Sequence, residues 1–341
     1  PGAPRFAESL GFIGAPAWLG DGSLAVIATM SATPGHISAD TLEVTAGTLH
    51  ATGNLAIDRT GAVPRVTGQL AAESLPLPLP YPRSPDPLPI GAIAGWDCAI
   101  DLKAGEVLLG ASPVLQQSSA RVSLAGGVLH LDQVSARLGG GTVSGSLMFD
   151  GHATPPALAM AARVTGASIA GPLLDSSLDL GSGTADSELT LHAKGYSLGA
   201  LMSTLGGQLT MDVRDGVLLG VSQAGNRADL SAAAVAAALQ GGTIPFDTLR
   251  VAAVVDQGSI AISSAVLAAS GGTARISGTI DLSAETADLR VVERPAVPDP
   301  PDVGLRLTGP IDELQRTPEL ADVARWRAIR EASGPVPLNT P

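Results

Sequence analysis

The 341-residue chain carries 32 acidic side chains against 20 Lys and Arg, a net charge of -12, and that sign excludes the basic footprint nucleic acid requires. Aromatic residues make up only 3%, so a filled globular core would rest almost wholly on Ala, Val, Leu and Ile, whereas a sheet with one apolar face needs less bulk. The single cysteine, Cys98, closes no internal disulfide, and no run reaches the ~18 uninterrupted apolar residues of a membrane helix.

Taken in order, the chain starts at Pro1-Gly2-Ala3-Pro4-Arg5 without Met or the basic and apolar regions of a signal peptide, and reads as a piece of a longer protein. An internal repeat follows. Gly35 to Asp58 and Gly127 to Asp150 align without a gap, Thr52-Gly53 on Ser144-Gly145 and Leu55-x-Ile57-Asp58 on Leu147-x-Phe149-Asp150. A third copy runs from Gly258 to Ser277-Gly278-Thr279-Ile280 and is read as two residues longer. Each copy is a set of short alternating strands joined by Gly turns. Such a unit cannot bury its apolar face alone and must stack on its neighbours. Period two recurs at Val122-x-Leu124, Leu129-x-Leu131, Leu189-x-Leu191, Ile260-x-Ile262, Leu289-x-Val291 and Leu305-x-Leu307, which predicts strands rather than helices.

Between the first two copies, Leu75 to Pro89 holds proline at a density that predicts an extended linker without ladder bonds. The divisions expected are a repeat segment 1–74, a linker 75–95, a second repeat segment 96–186 and a C-terminal region 187–341. A short helix is expected over about 198–205. Leu209, Met211 and Val213 then alternate with polar residues toward a tight hairpin turn at Asp215-Gly216. An Ala-rich helix follows over 229–239, capped by Asp229 or Ser231 and stopped by Gly241-Gly242. A second proline cluster, Pro295 to Pro301, separates the last strand pairs. A terminal helix is expected over 318–331, with Thr317 as cap and Pro318 at its first position, more simply a cover for the sheet end than a membrane-surface helix.

Catalytic chemistry leaves little trace. The five histidines, His36, His50, His130, His152 and His192, are scattered without metal-ligand spacing. Gly139-Gly140-Gly141-Thr142-Val143-Ser144-Gly145 lacks a P-loop lysine and lies inside a strand repeat. Asp179-Leu180-Gly181-Ser182-Gly183-Thr184 has no second element to make a protease pair. No enzyme, metal or cofactor is expected.

The order of motifs carries a resemblance. Val213-Arg214-Asp215-Gly216-Val217-Leu218, the Ala-rich segment, Gly241-Gly242-Thr243-Ile244-Pro245-Phe246-Asp247, Ser277-Gly278-Thr279-Ile280-Asp281-Leu282 and the closing Gly304-Leu305-Arg306-Leu307-Thr308-Gly309 resemble the C-terminal region of the AsmA family of bacterial envelope proteins. The resemblance implies a non-enzymatic periplasmic part of a protein anchored to the inner membrane by a preceding segment, with a role in outer-membrane assembly and phospholipid acyl chains as ligand. The fold expected is mainly β, an elongated, twisted antiparallel sheet forming an apolar groove.

Residues expected to line that groove are Leu55, Ile57, Val122, Leu124, Leu129, Leu131, Leu147, Phe149, Leu158 and Met160, then Leu189, Leu191, Leu209, Met211 and Val213, and finally Ile260, Ile262, Ile276, Ile280, Leu289, Val291, Leu305 and Leu307. The competing expectation is a scaffold whose face is filled by its own side chains and whose sheet edges recruit envelope-assembly proteins.

Overall fold

A computed structural model describes residues 24–46, 49–77, 83–93, 95–109, 112–171, 178–222, 232–296 and 299–332. Their strands form one open 17-stranded sheet. They group into two compact units, one made of the chain up to Thr165 with Glu188–Gly207, the other of Gly166–Ser187 with the chain from Gln208.

The first unit contains β1 (Leu24–Thr33), β2 (His36–Ala46), β3 (Leu49–Asp58), β4 (Arg65–Leu77), β5 (Asp97–Leu109), β6 (Ser112–Ala125), β7 (Val128–Leu138) and β8 (Gly141–Asp150). It also takes most of β9 (Ala157–Ala170) and the end of β10 (Asp179–Lys194). Its helices are the single turn α1 (Ile90–Ile93) and α2 (Leu198–Ser203), where Ser197 caps by accepting from Ala200 N at 3.1 Å. Each strand pairs with the next in the chain, antiparallel except at one place.

The three repeats are hairpins with the same construction. Gly35, Gly127 and Gly258 accept through their carbonyls from Arg59, Gly151 and Leu282 at 2.7, 3.1 and 3.0 Å. Asp58, Asp150 and Asp281 close each unit by accepting from the backbone two residues on. In every copy the first strand bulges by one residue. Ala39 faces Leu55 but Leu42 faces Gly53, Leu131 faces Leu147 but Val134 faces Gly145, and Ile262 faces Gly278 but Val266 faces Arg275. This register corrects the length read for the third copy. The hairpin β13 (Ser259–Ala269) to β14 (Gly272–Asp281) pairs Ser259 with Asp281 as His36 pairs with Asp58, so Gly278 takes the place of Leu55 and Leu147 and no insertion is present.

Four more expectations need correction. The sheet is not wholly antiparallel, because β4 and β5 run parallel. The proline stretch is not all linker, because Leu75, Pro76 and Leu77 finish β4 opposite Val107, Leu108 and Leu109. Parallel neighbours need a crossover of a dozen or more residues, and the proline-rich segment supplies it. Asp215-Gly216 makes no hairpin: β11 (Gly206–Leu219) continues straight through it, with Asp215 at φ +52. A Cβ at Gly216 would collide with the Phe246 ring, so the dipeptide serves close approach rather than reversal. Finally, Thr317 and Pro318 lie in β17 (Gln315–Glu319), opposite Arg306 and Leu305, and the terminal helix α4 starts later, at Ala321–Ala332. The Ala-rich helix α3 is Ala232–Ala238. Its expected caps, Asp229 and Ser231, lie outside the described residues.

The second unit has a filled core. Strands β12 (Thr243–Asp256), β13, β14, β15 (Thr286–Pro295) and β16 (Val303–Pro310) present Ile244, Phe246, Leu249, Leu267, Leu289, Val291, Val303, Leu305 and Leu307 to it. Val235 and Leu239 close it from α3 and its end, and Val323, fully buried, from α4. Trp326 packs on the same core and donates to Asp299 O at 2.6 Å. Arg316 of β17 donates to Leu239 O at 3.1 Å and to Gly220 O, fixing the end of α3 to the strand beside it. Its burial pushes the guanidinium below its ordinary range.

Candidate functional site: the apolar face of the first unit

Antiparallel partners share a face, as do parallel ones, so register traces rows across the sheet. One row runs Ile37, Ile57, Val66, Cys98, Leu124, Leu129, Phe149, Leu158 from β2 to β9. The next runs Ala39, Leu55, Gly68, Ile100, Val122, Leu131, Leu147, Met160 over the same strands. Not one charged residue interrupts either. On the reverse face the corresponding row is Asn54, Gln69, Asp101, Arg121, Asp132. The apolar rows cross eight strands without a break, through the parallel pair as well, while the reverse row is polar from β3 to β7.

Within these rows only Leu124 is fully buried, at 7% exposure; the remaining side chains from Ile37 to Met160 are half-buried. Leu189 and Leu191 of β10 are half-buried too. That is the burial a bulky side chain receives from its neighbours in one layer. In the second unit the expected lining residues fare differently. Val213, Leu289, Val291, Leu305 and Leu307 are buried in the core, and Met211, Ile262, Ile276 and Ile280 pack against it. Leu209 and Ile260 are half-buried.

Gly195 donates to Pro156 O at 2.9 Å, which sets the end of β10 beside the start of β9, at the edge that carries Cys98 and Leu158. The ordinary right-handed twist from strand to strand keeps such a sheet from lying flat.

Asp97 donates to Pro64 O at 3.0 Å, so the odd residues of β5, whose side chains lie on the polar face, are those bonded to β4.

The polar face holds a shallow depression of about 400 Å³ lined by Asn54, Gln69, Asp101, Lys103 and Arg121 among others. Arg121 closes on Asp101 through two bonds of 2.7 and 3.2 Å, and its hydrogen bonding holds the Asp101 carboxyl below the usual range. Among the described residues no group of three or more His, Cys, Asp or Glu is placed to hold a metal ion, and no helix is long and apolar enough to cross a membrane.

Sequence reasoning had missed Ile37, Val66, Cys98 and Ile100 as members of the face. The period-two signal was present in Val66-x-Gly68-x-Leu70 and Cys98-x-Ile100-x-Leu102, but the proline stretch between them hid that the two strands are neighbours.

An open sheet built from repeated hairpins of common design, with two uninterrupted apolar rows in its first unit, defines a class of repeat β proteins. Within that class the assignment is specific. The model of the AsmA family matches residues 83–265, more than half of the chain, and the chain belongs to this family of bacterial envelope proteins. The match begins upstream of the motifs on which the resemblance was drawn and ends before the closing strands. Neither a curated protein nor a solved structure matched the chain in the same comparisons.

Proposed function

We propose that the first unit shelters phospholipid acyl chains against its apolar face, as part of a periplasmic protein held at the inner membrane and serving outer-membrane assembly. The observation that carries this reading is the pair of apolar rows, half-buried from β2 to β9, in contrast to the second unit, whose apolar side chains are covered by Phe246, α3 and α4. Each methylene withdrawn from water contributes about 0.8 kcal/mol, so a chain seated along a dozen methylenes gains about 10 kcal/mol before the cost of ordering it. No polar contact is needed, and selectivity among acyl chains is low. The family is not known as one of enzymes, which agrees with a role in holding rather than converting lipid.

The second unit supports the scaffold reading for its own part. Its apolar side chains are consumed by its core, and what it offers envelope-assembly partners is sheet edge and charged surface.

Incubation with liposomes containing a phospholipid with a diazirine in the acyl chain, followed by irradiation and peptide mapping, separates the two. Crosslinks on peptides bearing Leu129, Leu131, Leu147 and Met160, with none on Leu305 or Leu307, are expected. Crosslinks absent from β2–β9, or equal on both units, contradict the proposal.

A further inference from the structure

The first strand of the sheet lacks a neighbour that its counterparts in the other repeats possess. In every repeat the opening hairpin strand is preceded by one that pairs with it at the same register. Met30 faces Ala39, Val122 faces Leu131 and Ala253 faces Ile262, while Ala32 faces Ile37, Leu124 faces Leu129 and Val255 faces Ile260. β1, β6 and β12 are therefore equivalent strands. On its far side β6 has β5, antiparallel, which sets Ile100 against Val122 and Cys98 against Leu124, and β12 has β11. Leu124, Ala253 and Val255 are buried there. Among the described residues the register partners of β1 lie on β2 alone, and the equivalent side chains are open: Met30 is 65% exposed, and Ala32 is exposed too. Ile27, on the other face opposite Glu43, is 66% exposed. The turn after β1 sets the direction of its backbone groups. Pro34 and Gly35, the latter at φ +81, make a two-residue turn between Thr33 and His36, and the pair flanking such a turn exchanges its hydrogen bonds. Thr33 and Ser31 thus bond toward β2, and the N–H and C=O groups of Ala32, Met30 and Ala28 point away from it. Nothing blunts this edge. The ten residues Leu24–Thr33 hold neither a charge nor a proline, whereas the last strand, β17, is five residues long and carries Arg316, Pro318 and Glu319. A long, neutral, apolar edge of this kind takes up another strand.

We infer that β1 is an assembly edge whose occupant is β1 of a second copy of this chain, the two strands running antiparallel about a two-fold axis at Thr29. The equivalent edge of β6 defines what the added strand must be: antiparallel, and apolar on the side of Met30 and Ala32, as β5 is. β1 meets both conditions itself. With Thr29 on the axis, Ala28 stands opposite the second copy's Met30 and Val26 opposite its Ala32, small against large. Because β1 carries no charge, no like charges are opposed. The contact uses the same surface on both chains, so it closes at two instead of running on into a fibre. The apolar rows that pass through Ile37 and Ala39 already extend onto β1 as Ala32 and Met30, and the pairing carries them into the second copy as one longer face. The pairing does not depend on the acyl-chain reading, which says only what the lengthened face holds.

Sedimentation of the chain at micromolar concentration tests this. A mass of two chains is expected, falling to one in Met30→Pro, which removes an outward N–H and leaves the bonds of Ser31 and Thr29 to β2 in place. A single-chain mass at every concentration overturns the inference. A second variant keeps the test open if the proline unfolds β1. Thr29→Cys in a Cys98→Ser background sets two thiols across the axis in a pair without mutual hydrogen bonds, where Cα atoms approach to about 4.5 Å, within disulfide range. Oxidation to a covalent dimer is expected about tenfold faster than for Thr52→Cys, exposed on the same face away from the edge, and equal rates overturn the two-fold pairing. Slow exchange of the Met30 and Ala32 amides in a species of single-chain mass assigns the edge to the chain's own residues ahead of Leu24, and overturns the second copy as occupant. Lipid extraction separates this from the acyl-chain reading: a dimer without lipid supports the pairing while that reading fails, and a single chain with bound phospholipid does the reverse.

Discussion

At the scale of single residues, the repeat depends on glycines where strands crowd. Gly278 holds φ +132, and a Cβ there would run into Asp288 O on β15. Gly145 faces Ala161 O in the same way, at 2.7 Å from its missing Cβ. Gly278→Ala is therefore expected to cost about 2–4 kcal/mol in urea unfolding, and a change below about 0.5 kcal/mol would show that the strand relaxes freely. Acid sensitivity belongs to this scale also. Asp58, Asp101, Asp186 and Asp288 are all held low, by Thr60, Arg121, Gly166 and Arg306 first among their partners. A carboxylate with a depressed folded pKa contributes stability that is present above its unfolded pKa and is lost as pH falls through the folded one. Because these groups are solvent-exposed the effect is small. The melting temperature should decline gradually below the ordinary aspartate range and flatten once all four are protonated. A melting temperature that rises on acidification would contradict the assignment.

At the scale of elements, the two units treat identical side chains differently. Leu305 and Leu307 are fully buried among core neighbours, and truncating either to Ala should cost about 2–5 kcal/mol. Leu131 is only half-covered, and Leu131→Ala should cost about 1 kcal/mol or less, read in the same chemical denaturation series. Comparable losses at both places would mean that the face of the first unit is packed after all.

This contrast also marks how far the sequence could be read. Strand identity was legible over most of the sheet because Val122-x-Leu124 and its equivalents repeat with period two, and the hairpins were legible because Gly35, Gly127 and Gly258 each open a repeat of similar pattern. What failed were local signals overruled by distant partners. Asp215-Gly216 has turn chemistry, but Phe246, 30 residues on, makes the glycine a packing requirement. Pro318 suits a first helical turn, but Leu305 and Arg306 claim its segment as an edge strand. Pro76 argued against a ladder, but a parallel partner, Leu108, was available. Which apolar rows stay open was not legible at all, since alternation reads the same whether or not helices such as α3 and α4 cover the face.

At the scale of the molecule, one sequence pattern produces two outcomes. Where short helices and Phe246 occur, they cover the sheet's apolar side chains; in the first unit the apolar rows stay half-exposed. The AsmA family assignment places such a chain in the bacterial envelope, where acyl chains are the abundant apolar ligand, and the account stands or falls on whether they occupy the first unit. Native mass spectrometry with lipid extraction, on the chain purified from a bacterial periplasm, tests this most directly. The expected result is co-purifying phospholipid that disappears in Leu131→Asp while the melting temperature is kept. A mass equal to the bare polypeptide, with no uptake from liposomes either, would contradict the account.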